Sequence, residues 1–126
     1  MGLTDIEADI ANPRSPRKTA RLRFLVDSGA IYSVAPAPVL RRLGVRPTST
    51  RKFTLADGSS IQRRMGEVSF RINGHAGTSP VIFGQRADSA LLGSVSLEVL
   101  GFFLDPLKRE LRPLPLILGG SGYLNP

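Results

Sequence analysis

The side chains able to do chemistry in this chain reduce, by elimination, to carboxylates. Its 126 residues include no cysteine, one histidine and ten acids. Without cysteine there is no thiolate nucleophile, disulfide frame or cysteine-ligated zinc. One histidine cannot build a multi-histidine metal site, and neither a metal nor an organic cofactor is expected. A serine–histidine hydrolase would have to recruit His75, in the stretch Ile72-Asn73-Gly74-His75-Ala76-Gly77. That stretch reads as a turn between strands, with His75 as an exposed turn residue. Carboxylates hydrolyse peptides when two share one proton, one accepting from water while the other donates to the carbonyl oxygen. Like charges a few ångströms apart cannot both ionise, so their apparent pKa values split.

Asp27 is the acid whose surroundings fit that task. It follows the apolar run Phe24-Leu25-Val26 and precedes Ser28-Gly29-Ala30. The chemistry asks for a carboxylate held by a rigid strand, a small hydroxyl residue beside it and a glycine whose amide can reach back. Alone, an Asp-Ser-Gly tripeptide is as well explained by an Asx-turn. The apolar approach strand changes the balance, because burying an acid costs free energy unless the site uses it. Asp57 precedes Gly58 and reads as a turn former. Asp88 sits in a polar loop, and Asp105 precedes a proline at a strand end.

The elements that must position Asp27 are short. Residues 3–11 alternate loosely and predict a first strand, and Asn12-Pro13-Arg14-Ser15-Pro16 predicts a turn. Residues 19–26 predict a second strand with Ala20, Leu22, Phe24 and Val26 on one face and an end apolar on both faces. Residues 35–44 predict a helix entered through Pro36 and Pro38 and closed by Gly44. Strands at 51–56 and 61–72 flank the hairpin signal Asp57-Gly58, and another strand spans 76–84. The run Ala90-Leu91-Leu92-Gly93 is buried, 94–100 is a short helix ended by Gly101, and 102–105 and 110–113 are the last strands. Short strands with two small helices indicate an all-β domain of closed-barrel or sandwich type. Residues 1–113 form one domain, and 114–126 a Pro/Gly-rich tail whose Leu116-Ile117-Leu118 can pair with another chain.

Leu25-Val26-Asp27-Ser28-Gly29-Ala30 resembles the catalytic signature of retropepsin-like aspartic proteases. Leu55-Ala56-Asp57-Gly58-Ser59, with Gly66 closing the hairpin, is similar to that family's flap. Ala90-Leu91-Leu92-Gly93, Leu97-Glu98 and Gly101 match its late strand, glycine and helix. Asp105-Pro106 and Leu111-Arg112-Pro113 continue a pattern of the prokaryotic members of clan AA. The resemblance covers most of the chain. It implies an acid-protease barrel with one lobe per chain and aspartic endopeptidase activity without a cofactor. Asp27, Ser28 and Gly29 would be catalytic: the carboxylate, the hydroxyl bonding across a dimer axis and the amide reaching the carboxylate. Ala30, Leu55, Ala56, Asp57, Gly58 and Ser59 would bind substrate, the flap over residues 55–64 closing on an extended peptide. The hairpin tip departs from the glycine-rich viral pattern in having one glycine, and Ser94 follows Gly93 where viral members carry arginine.

Bilobed aspartic peptidases carry two Asp-Ser/Thr-Gly triplets; this chain has one, which implies a two-fold homodimer in which Asp27 meets its own copy. The segments Leu3–Ile10 and Leu114–Leu118 are alternative candidates for the intersubunit sheet. A non-catalytic peptide-binding or dimerisation module of the same fold is the alternative function. The net charge of +7 raises nucleic acid as a partner, but the cations are dispersed and not interleaved with aromatics. A solvated basic surface is the expectation, and nucleic acid is not expected as a partner. No run reaches the roughly 18 apolar residues of a membrane span. The start of the chain lacks the order of a signal peptide, so a soluble, cytoplasmic protein without membrane contact is expected.

Overall fold

In the computed structural model, residues 4–115 and Leu118 are described. The described residues form nine strands and two short helices: β1 (Thr4–Asn12), β2 (Ser15–Val26), β3 (Ser33–Pro36), α1 (Ala37–Arg42), β4 (Ser49–Thr54), β5 (Ser60–Ile72), β6 (His75–Gly84), β7 (Leu91–Leu92), α2 (Ser94–Leu100), β8 (Phe102–Asp105) and β9 (Glu110–Pro113). Seven strands join in the order β1-β2-β7-β3-β6-β5-β4, and β1 also pairs with β5. That last pairing, Asp9–Ala11 against Ser69–Arg71, closes six of the strands on themselves. It covers the edge β1 would otherwise expose and leaves β4 as an edge strand paired to β5. β8 and β9 make a separate antiparallel pair. No helix among the described residues is long and apolar enough to cross a membrane.

Alternation does most of the sorting. Phe24 and Val26 of β2, and Val68, Phe70 and Ile72 of β5, point into one core with Ile10, Leu40 and Leu92. Phe24 and Phe70 meet edge to face, ring centroids 5.6 Å apart, a favoured aromatic geometry. β5 serves two purposes along its length. Residues 65–72 pair with β6 inside the barrel, whereas residues 60–65 pair with β4 as a projecting hairpin.

Four expectations need correcting. Pro16 lies within β2, not in the turn, because Ala11 pairs with Thr19 and Asn12 with Ser15. Residues 16–18 thus bulge out of register, and Pro16 is not asked for a ladder hydrogen bond. Ala35 and Pro36 belong to β3, a strand unpredicted from sequence, so α1 is shorter than 35–44. β4 begins and ends two residues before the expected 51–56. His75 is half-buried in β6, its Nδ1 2.9 Å from the Leu100 carbonyl oxygen and its ring stacked on Phe102 at 4.3 Å. The turn before it is made by Asn73 and Gly74 alone, both at positive φ, as a tight hairpin requires.

β9, the last described strand, ends at Pro113. Leu3, Leu116 and Ile117, part of the two expected dimer-sheet segments, lie outside the described residues.

Candidate active site

Asp27 leaves the end of β2 into a loop whose backbone is bonded on both sides. β2 runs parallel to β7, with the Leu25 amide donating to the Ala90 carbonyl at 3.0 Å and the Asp27 amide to the Leu92 carbonyl at 3.0 Å. Beyond Asp27 the loop caps α2. The Ser94 amide donates to the Ala30 carbonyl at 2.8 Å and the Val95 amide to the Ile31 carbonyl at 3.0 Å. First-turn amides have no partner inside a helix, so the loop and the helix satisfy each other. The Ala30 amide closes the turn on the Asp27 carbonyl at 3.1 Å, and the Gly29 amide donates to Asp27 Oδ1 at 3.0 Å. Asp27 itself is half-buried, with Ser28 and Gly29 exposed. The approach strand is buried on one face only: Leu25 is half-buried rather than enclosed, because its outer side lines an open cavity.

Under this loop lies a buried chain of hydroxyls. Ser33 and Ser96 Oγ are 2.5 Å apart, Ser96 and Ser79 Oγ 2.7 Å, and all three side chains are fully buried. The Gly93 amide donates to Ser33 Oγ at 2.9 Å and Ser79 Oγ donates to the Pro80 carbonyl at 3.1 Å. One proton direction, from Gly93 through Ser33, Ser96 and Ser79 to Pro80, gives every hydroxyl one bond donated and one accepted, as buried polar groups require. Gly93 is needed here for space: a Cβ on it would come within 2.8 Å of the Ile31 and Tyr32 backbone.

The β4–β5 hairpin faces this region. Its tip, Leu55 to Ser59, is exposed and, among the described residues, hydrogen-bonds only to itself. Leu55 donates to the Ser59 carbonyl at 2.8 Å and Gly58 to the Leu55 carbonyl at 2.9 Å. Gly58 sits at φ +88, which favours glycine. Asp57 Oδ1 accepts from the Ser59 amide at 2.9 Å and from Ser59 Oγ at 2.5 Å. The Ser59 hydroxyl, then its amide, hold the Asp57 carboxyl below the usual carboxylate range. No hydrogen bond joins residues 55–59 to Asp27, Ser28, Gly29 or Ala30 among the described residues.

Between the hairpin and the barrel is a mainly apolar cavity of about 320 Å³, walled by Leu25, Val34, Leu91 and Ile82 on the barrel side and by Phe53, Ile61 and Arg63 on the hairpin side. Leu25, two residues before Asp27, is the wall residue nearest to Asp27 in sequence, and none of residues 27–32 lines the cavity. Arg63 grips Asp88 with two bonds, Nε–Oδ2 at 2.8 Å and Nη2–Oδ1 at 3.1 Å, and the pair is only 14% and 24% exposed. The guanidinium of Arg63, more than burial opposes it, pulls the Asp88 carboxyl below its ordinary range. The strand that ends in Asp27 thus contributes Leu25 to an apolar cavity whose opposite wall is a projecting hairpin, an arrangement able to hold an apolar side chain of an extended peptide.

The aspartyl protease family model matches residues 7–96, which include β2, the Asp27 loop, the hairpin and β7. The chain belongs to the aspartyl protease family. Two solved viral proteases share its fold. The simian foamy virus (mac) protease is 22% identical with a TM-score of 0.53, over 75% of this chain and 92% of that one. The EIAV protease, in complex with an inhibitor, is 18% identical with a TM-score of 0.55, over 93% and 94%. No curated protein matches the sequence. The molecule is therefore an aspartic peptidase of retropepsin-like fold.

Within this aspartyl protease, sequence reasoning missed Ser33, Ser79 and Ser96, the Arg63–Asp88 pair and the Arg51–Tyr32 pair described below. All unite residues far apart in sequence. The available signals were an Arg-Arg dipeptide on a hairpin limb and serines next to apolar residues (Val34, Val81 and Leu97 lie within two positions of them), neither of which names its partner.

Proposed function

We propose that the chain acts as a homodimeric aspartic endopeptidase, in which one Asp27 from each subunit activates a water for attack on a peptide bond. The observation that carries this is the setting of Asp27. It is the acid at the end of a core strand, fixed by backbone bonds to β7 and α2, and it lies in the chain's one Asp-Ser-Gly triplet. Two such carboxylates sharing a proton supply both general base and general acid. Ser28, exposed next to Asp27, is free to bond the partner's loop across the two-fold axis, and the Gly29 amide holds Asp27 Oδ1 in place. Ile31 is 61% exposed and Leu55 43%; large apolar side chains left open in the Asp27 loop and at the hairpin tip support a second copy and a peptide as their cover. Ala30 and residues 55–59 would contact the peptide, the hairpin closing over it and excluding water.

The test is cleavage of a degenerate peptide library from acidic to neutral pH, with products read by mass spectrometry. Asp27→Asn should lower the rate by about 10³-fold or more while circular dichroism and dimer mass stay unchanged. Cleavage persisting in purified Asp27→Ala protein would overturn the assignment.

A further inference from the structure

The hairpin is strongly cationic: Arg51 and Lys52 on β4, Arg63 and Arg64 on β5, against the single acid Asp57 between residues 49 and 66. Arg51 and Arg63 stand directly opposite one another in the β4–β5 register, so they share a face. It is the cavity face, because Phe53 and Ile61, the next opposed pair, line the cavity. Like charges directly opposite repel. Arg63 is neutralised by Asp88. Arg51 has no carboxylate partner among the described residues.

Arg51 is nonetheless held in place. Its Nη1 donates to the Tyr32 hydroxyl at 2.8 Å, and its guanidinium carbon lies 5.4 Å from the Tyr32 ring centroid, within cation–π range. Tyr32 in turn packs edge to face on Phe53, centroids 6.5 Å apart, and joins the cluster of Val34, Met65 and Ile82. Arg51 precedes Phe53 by two residues on β4, and Tyr32 precedes Val34 by two, while Phe53 and Val34 both wall the cavity. The pair therefore sits one strand repeat, about 7 Å, from Phe53 and Val34 on the side away from the hairpin tip, level with Arg63, at the border of the cavity. A guanidinium using one donor on a neutral hydroxyl keeps the others for a ligand, and the Tyr32 hydroxyl keeps its own proton to donate.

We propose that Arg51 and Tyr32 form a cationic subsite adjoining the apolar cavity, which selects a glutamate or aspartate side chain in the bound peptide. The substrate class is then a peptide with an apolar side chain in the cavity and an acidic one next along the same side of the extended chain. This rests on the peptidase reading for its substrate being a peptide. The guanidinium can meet the carboxylate with paired N–H bonds, and Lys52 and Arg64, on the other face of the same hairpin, add to the positive field that favours approach of acidic segments at low salt.

The experiment uses the full-length Asp27→Asn protein and octapeptide sub-libraries, each with one position fixed as Glu, Gln or Lys. Retained peptides are quantified by mass spectrometry, and the same sub-libraries are offered to the wild type for cleavage. At one position Glu should be retained about five-fold over Gln, as for a partly exposed ion pair. The excess should shrink in about 0.5 M salt and reverse in favour of Lys when Arg51→Glu is added. Equal retention of Glu and Gln at every position, an unchanged Glu preference in Arg51→Glu, or retention of no sub-library would each overturn the subsite. Cleavage by the wild type without acidic preference would overturn the subsite and leave the peptidase. Glu-selective binding without wild-type cleavage would do the reverse.

Discussion

Two turns of this molecule make the same local bond and are held in opposite ways. In one, the Gly29 amide donates to Asp27 Oδ1 at 3.0 Å; in the other, the Ser59 amide donates to Asp57 Oδ1 at 2.9 Å. Judged by these bonds alone, both are Asx-turns. The Asp27 turn, however, is tied through Leu92, Ala30 and Ile31 to a strand and a helix, above a buried hydroxyl chain. The Asp57 turn is exposed and bonded to itself. The tripeptide thus says little about function, and its tertiary support says much. One turn is fixed by backbone bonds to a strand and a helix; the other, exposed at the hairpin tip, has no hydrogen bond outside itself among the described residues, so its local stability is expected to be lower.

The largest expected effect breaks the support on the Asp27 side. Gly93→Ala places a Cβ within 2.8 Å of the Ile31 and Tyr32 backbone, atoms that cannot move aside without moving the loop. Overpacking of this kind should cost about 2–3 kcal/mol in urea unfolding and reduce peptide cleavage as well. Wild-type stability in the Gly93→Ala protein would show the loop to be soft.

The next effect is at the wall between the regions, where Arg63 anchors the base of the hairpin to Asp88. The Asp88 carboxyl is depressed in the folded chain, chiefly by Arg63. Its contribution to stability is therefore present above the unfolded carboxylate value, about 3.9, and is lost as pH falls through the lower folded value. Arg63→Gln should cost about 1 kcal/mol at neutral pH. The gap to wild type should hold down to about pH 5 and close as pH drops below about 4. A gap independent of pH would mean the pair is not what Arg63 contributes.

The smallest belongs to the hairpin tip. At Gly58 an added Cβ meets nothing within 4 Å, but φ is +88. Gly58→Ala should therefore cost about 1 kcal/mol or less. Faster amide hydrogen exchange should appear at residues 55–59 and leave 24–30 unchanged. Exchange spreading to the Asp27 loop would mean that the two turns are coupled.

What could be read from the sequence divides along the same line. Asp27-Ser28-Gly29 after an apolar strand, Asp57-Gly58 between strands and Gly101 ending α2 are local signals, and each turn or helix end formed where expected, although β4 lies two residues early and β2 begins at Ser15. β3 was missed because four residues, Ser33–Pro36, that run straight into α1 offer no periodicity of their own. The β1–β5 closure, the Ser33–Ser96–Ser79 chain and the Arg63–Asp88 pair depend on register between distant strands, which no window of sequence carries. The roles given to Asp27, Ser28, Gly29, Ala30 and residues 55–59 remain the resemblance's proposal, now with a geometry that can be tested.

The central claim is that one site needs two copies of Asp27, and subunit mixing tests it most directly. Wild-type and Asp27→Asn chains are combined in equal amounts, left to exchange, and assayed for peptide cleavage against wild type at the same total concentration. If both carboxylates must come from separate chains, random exchange leaves about a quarter of the dimers complete and activity falls to about one quarter. Activity falling only to about one half would show that each chain works alone, and would contradict the account.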